Sequence, residues 1–99
     1  MKPYRFHPEA ETEADAVFEY YRTKSPLAAL NFDEELEEAC QALQKHPRMY
    51  AEYLHGTRRA LLGRFPYFVV YREFSRKIEI IAVAHAKRRP GYWKTRLKH

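Results

Sequence analysis

The chain has 99 residues, with 18 Lys and Arg against 13 Asp and Glu and a single cysteine; that length holds one hydrophobic core and excludes a second catalytic domain. One thiol, Cys40, rules out an intrachain disulfide and fits a reducing cytoplasm. No apolar run reaches the roughly 18 residues of a membrane span, and "MKPYRFHPEAE" lacks the apolar centre of a secretion signal, so the sequence reads as one cytoplasmic domain over residues 1–99 with no membrane partner.

The first element is a short strand, "YRFHP", whose weak alternation stops at Pro8. A helix follows, with Pro8 at its start and Glu9, Glu11 and Glu13 in the first turns, where the positive end of the helix dipole favours anions. Ala10, Ala14, Val17, Phe18 and Tyr21 recur at helical spacing and predict its buried stripe. Ser25 is placed to cap a second helix, Pro26 to occupy its first position, and His46 before Pro47 to end it. Leu27, Ala29, Phe32, Leu36, Ala39 and Leu43 are the expected inward positions; Asp33, Glu34, Glu35, Glu37 and Glu38 form a solvated face, and Cys40 is read as helix packing. A connection of one to three residues forces the two helices into an antiparallel hairpin.

After the loop "PRMYAEYLHG" the apolar period changes from 3.6 to 2. "TRRALLGR", "YFVVYREF" and "KIEIIAVAH" are short, β-branched or aromatic, and separated by "FP" and "SR". Connections that short require antiparallel neighbours. The order β-α-α-β-β-β predicts an α+β fold, a helical hairpin packed on one face of a curved antiparallel sheet whose other face is open. Strict alternation groups Ile78, Ile80, Ala82 and Ala84 on one side of the last strand and Glu79, Ile81, Val83 and His85 on the other, and both sides carry apolar residues.

Charge is segregated along the chain. Residues 1–54 hold 6 Lys and Arg against 11 Asp and Glu, whereas residues 55–99 hold 12 against 2, and residues 80–99 contain no acid. A field of one sign attracts polyanions. Arg58, Arg59 and Arg64 lie on or beside the first strand of the meander and Arg72 near the end of the next. Lys87, Arg88 and Arg89 leave the last strand, and Lys94 and Arg96 follow Tyr92 and Trp93. Guanidinium groups clamp phosphate and flat rings stack on unpaired bases, so Arg58, Arg72, Lys87, Arg88, Arg89, Trp93, Lys94 and Arg96 are the candidate target-binding set. His85 ends an apolar strand beside these cations, where an imidazole either caps a turn or acts as general acid or base with arginines stabilising phosphorane charge. The other histidines have no ligand spacing with His85, so neither a metal nor a cofactor is expected.

The element order, with "YLHGTRRALLGRFPYFVVYRE" followed by "IEIIAVAHAKRRPGYWKTR", resembles the RelE/ParE superfamily, toxins of type II toxin-antitoxin modules, over essentially the whole chain. The resemblance implies a growth-arresting toxin and a cognate antitoxin that covers the cations and switches it off. RelE-like members cut messenger RNA in the ribosomal A site, a metal-independent endoribonuclease reaction using basic residues of the sheet and a C-terminal tyrosine. In this sequence two of their arginine positions fall on Phe68 and near Ala86, while Arg59, Tyr92 and the nearby Arg88 keep the type. His85, Arg59, Arg64 and Tyr92 are therefore the catalytic set if the chain is an enzyme. His85 is similar to what ParE-like members carry, and these poison DNA gyrase without chemistry of their own. That favours gyrase inhibition, with a ribosome-dependent nuclease or a non-toxic RNA- or partner-binding module as alternatives.

Overall fold

The computed structural model describes residues 1–98. Its elements are β1 (Tyr4–Phe6), α1 (Pro8–Lys24), α2 (Pro26–Lys45), β2 (Arg58–Leu61), β3 (Tyr67–Glu73) and β4 (Ile78–His85), with 3-10 turns at Leu54–Gly56 and Lys94–Leu97. The helix boundaries follow from local chemistry. His7 caps α1 by accepting the Glu9 amide on Nδ1 at 3.1 Å, and Pro8 fills the first position, where an amide hydrogen would have no helical partner. Ser25 serves both helices: its amide donates to Tyr21 O at 2.8 Å, closing α1, and its Oγ accepts the Ala28 amide at 3.3 Å, opening α2. The hairpin connection is that one extended residue.

Ala29, Phe32, Leu36, Cys40 and Leu43 form the buried stripe of α2, but Leu27 does not belong to it and stands 65% exposed. It precedes Ala29 by two positions, which on a helix turns a side chain to the far side. Cys40 packs in the interior as expected, and burial pushes its thiol up to about 12, so it is inert at neutral pH.

The sheet order is β1-β4-β3-β2. The meander pairs β2 with β3 and β3 with β4 antiparallel, as short connections demand, but β1 joins the edge of β4 in parallel. The sheet is thus mixed rather than antiparallel throughout. No tight turn links β1 to β4; the helical hairpin and the meander intervene and set the relative sense of the two strands.

Strict alternation also fails in β4. Val70 opposes Ala82 while Tyr71 opposes Ile80, leaving Ile81 as an extra residue in a β-bulge. Before the bulge Ile78 and Ile80 face the helices; after it Val83 does, and Ile81, Ala82 and Ala84 turn to the opposite side. One inserted residue reverses every later side chain.

The opposite side is not open. Phe68, Val70, Ile81, Ala82 and Ala84 are buried there under Trp93, with Tyr53, Tyr92 and Leu97 packed around them. The fold therefore has a helix layer, a sheet, and a second covering made of the 50s loop and the C-terminal segment. Five apolar side chains on that face cannot remain in water, since a large exposed side chain forfeits about 1.5–3 kcal/mol, and the tail supplies the aromatics that cover them.

Candidate functional site

The C-terminal segment is fixed by one carboxylate. Where β1 ends, the His7 amide donates to Ile80 O at 2.8 Å and the chain turns away into α1. The edge of β4 past that point has lost its strand neighbour, and side chains take the place of backbone. Glu13 Oε1, from α1, accepts the Val83 amide at 3.0 Å, and Arg96 Nη1, from the tail, donates to the carbonyl of the bulged Ile81 at 3.0 Å. The two side chains then pair bidentately, with both Arg96–Glu13 contacts at 2.9 Å, and Tyr92 donates its hydroxyl to Glu13 Oε2 at 2.6 Å. Arg88 stacks on the Tyr92 ring, 3.9 Å from its centroid, and stands 3.9 Å from the same carboxylate oxygen.

Burial alone would push the Glu13 carboxyl up, but hydrogen bonds from Arg96, Tyr92 and the Val83 amide outweigh it and hold the group below the usual carboxylate value. Burial and the bond to Glu13 push the Tyr92 phenol well up, so it does not ionise at neutral pH. Sequence reading placed Glu13 only among the acids of the first turns. The signal that identifies it is its spacing: three residues after Ala10 and four before Val17, it lies beside the buried stripe of α1.

The four candidate catalytic groups occupy different surroundings. Arg64 lies toward the helix layer, its backbone amide and Nε both 2.9 Å from the Glu35 carboxylate of α2, so it fastens the β2–β3 turn. Arg59 lies on the other side of the sheet, over Tyr53 at 4.4 Å and Phe68 at 5.0 Å. His85 is half-buried with its ring 4.9 Å from that of Tyr67, and its Nδ1 accepts the Lys87 amide at 3.0 Å. The amide fixes Nδ1 as an acceptor and caps the turn that leaves β4. Tyr92 is held by Glu13 as described. Arg59 and Arg64 are thus separated by the sheet, and the quartet is not gathered around one point.

The target-binding set divides in the same way. Trp93 is 1% exposed and Arg96 is occupied with Glu13, so both hold the tail in place. Arg58 donates to Tyr50 O at 2.7 Å, and Arg72 stacks 5.0 Å from the Phe74 ring. Lys87, Arg88, Arg89 and Lys94 are exposed, and of these Lys87, Arg89 and Lys94 make no ion pair among the described residues. The basic surface available to a partner is therefore the exit of β4 and the first residues of the C-terminal turn. Phe68 and Tyr71 are buried and Tyr67 half-buried, with the Tyr71 hydroxyl donating to Pro47 O at 2.6 Å.

Residues 4–90 match the family model described as ParE toxin of type II toxin-antitoxin system, parDE. Among solved structures, a chain of the chromosomal ParDE toxin-antitoxin system from P. aeruginosa superposes with a TM-score of 0.75 at 22% identity. The alignment covers 86% of this chain and 96% of that one, a likeness of fold. No curated protein matches.

Proposed function

The chain belongs to the family of ParE toxins of type II toxin-antitoxin systems, and from that premise we propose that it arrests growth by binding DNA gyrase in the cytoplasm, without bond-breaking chemistry of its own. A toxin of such a module has an antitoxin as its partner, which neutralises it by covering the target-binding surface. Among the described residues no helix is long and apolar enough to cross a membrane.

The observation that carries the non-cleaving reading is that the groups a nuclease would use are occupied by the fold. Arg64 is spent on Glu35, Tyr92 on Glu13, and the His85 Nδ1 on the Lys87 amide. A general base needs reach to its proton and an arginine needs reach to the developing charge. Here Arg59 and Arg64 lie on opposite sides of the sheet. The exposed Lys87, Arg88 and Arg89, which leave β4 as a single run, suit recognition instead.

The test combines a supercoiling assay with purified gyrase and relaxed plasmid and 5′-end mapping of messenger RNA after induction. Inhibited supercoiling with intact transcripts is the expected result. Exchanging Lys87 and Arg89 for Glu should abolish inhibition while His85→Ala retains most of it. Prompt codon-phased cuts in messenger RNA, lost with His85→Ala, would overturn the reading in favour of a ribosome-dependent nuclease.

A further inference from the structure

The C-terminal turn, the loop at His55 and the end of β3 border an open cavity of about 480 Å³ lined by His55, Arg72, Lys94, Thr95, Leu97 and Lys98. Three distant parts of the chain bring basic groups to one place. Among the described residues no carboxylate lines the cavity, and neither Lys94 nor Lys98 makes an ion pair. The acid adjacent in register is Glu79, across β3–β4 from Arg72. Setting it against Arg72 still leaves two lysines and an imidazole around the same space.

The wall at His55 is held in an unusual backbone state. His55 has φ 59 and ψ 36, the left-handed region that a non-glycine residue enters at some cost. It is kept there by Thr57, which donates its hydroxyl to Leu54 O at 2.6 Å and its amide to the same oxygen at 3.3 Å. Gly91, at φ 79, brings the start of the tail alongside, and the His55 ring meets that of Trp93 edge-on with 6.0 Å between centroids. His55 is therefore positioned by the fold rather than by its own preference.

We propose that this cavity binds a phosphate group carried by a nucleotide. The two lysines left once Glu79 is set against Arg72 match the double charge of a phosphate monoester better than the single charge of a carboxylate, and the Thr95 hydroxyl adds a neutral donor. Leu97 and the His55 ring supply an apolar, partly flat wall of the kind on which a base or ribose rests, and the volume lies within the ordinary range for small-molecule sites. The lining shares Lys94 with the exposed basic surface but includes none of the run Lys87 to Arg89, and the proposal does not depend on gyrase being the target.

The full chain, labelled with nitrogen-15, is titrated at constant ionic strength with inorganic phosphate, with AMP, and with six-nucleotide single strands bearing or lacking a 5′-phosphate. Saturable shifts confined to the amides of His55, Arg72, Thr95, Leu97 and Lys98 are expected, with AMP binding more tightly than phosphate. The variant carrying Lys94→Ala and Lys98→Ala should bind at least about tenfold more weakly, the loss of one charge-assisted hydrogen bond, with Trp93 fluorescence and melting temperature unchanged. A strand that binds only with its 5′-phosphate identifies a terminal phosphate as the ligand; one that binds without it identifies backbone phosphates. The proposal is overturned if no probe saturates, if shifts extend equally over Lys87 to Arg89, if the double variant binds AMP as well as the parent, or if a hexaglutamate peptide displaces AMP with equal affinity.

Discussion

At the scale of single residues, Glu13 carries the most weight. It satisfies a backbone amide, a phenol and a guanidinium that lie 70, 79 and 83 residues further along the chain. Its side chain is 15% exposed and that of Arg96 8%, so the pair is desolvated rather than a surface ion pair. Removing one partner of such a pair costs about 3–5 kcal/mol, whereas replacing both with apolar groups of similar volume is often neutral. Glu13→Ala should therefore lower the melting temperature by at least about 12 °C for a domain of this size, and joint exchange of Glu13 and Arg96 for Met should recover part of the loss in the same melts. The pH dependence follows from sign. Because the folded carboxyl lies below its ordinary value of 4.5, its stabilisation is complete above that pH and is lost as pH falls through the folded value. Melting temperature should be flat from about pH 7 to 5 and fall below about 4.5, with a shallower acid limb in Glu13→Gln. An unchanged limb would remove Glu13 from the account.

At the scale of elements, the tail from Tyr92 to Leu97 behaves as a third layer. Its anchor is Trp93, buried against Phe68, Val70 and the β4 residues beyond the bulge. Trp93→Ala should destabilise by about 3–5 kcal/mol, read by denaturant midpoint. Deleting residues 92–99 should expose that whole face and produce strong binding of an environment-sensitive apolar dye; a truncated chain that melts as the parent and binds no dye would show that the tail is not part of the core. Helix ends, hairpin and meander were legible in the residues because their causes are local: Ser25 and the two prolines act within one turn, and "FP" and "SR" leave room only for antiparallel returns. The parallel sense of β1 and the covered face were not legible. Ile81 gives no sign in the sequence that it is inserted, yet it decides which apolar residues of β4 need a second cover.

At the scale of the whole molecule, the charge of the sequence becomes a separation in space. Asp33, Glu34, Glu37 and Glu38 are exposed on α2, while Lys87, Arg88, Arg89, Lys94 and Lys98 are exposed at the β4 exit and on the tail, within extents of 39 × 28 × 22 Å. With a screening length of about 8 Å at physiological salt, each partner senses the pole it approaches rather than the net charge. Association with an antitoxin whose contacting segment is acidic should slow about tenfold between low and high salt, with a much smaller change in the dissociation rate. Stopped-flow rates over a salt series check this, and a salt-independent association rate would mean that the basic surface does not steer the antitoxin.

Composition and periodicity by themselves determined the helical hairpin, the three-stranded meander and the location of the basic half, because each depends on neighbours within a few residues or on a pattern repeated along the chain; the kinship with type II toxins came from the resemblance of its motifs to that family. Only the tertiary structure decided which basic and aromatic residues remain available to a partner. Arg64, Tyr92, Trp93 and Arg96 resemble Lys87 and Arg89 in a linear reading, and they differ only in what folding brings beside them: Glu35, Glu13 and an apolar sheet face that needed cover. A desolvated group must find its partner inside the fold, and no spacing along the sequence announces a partner 79 or 83 residues away.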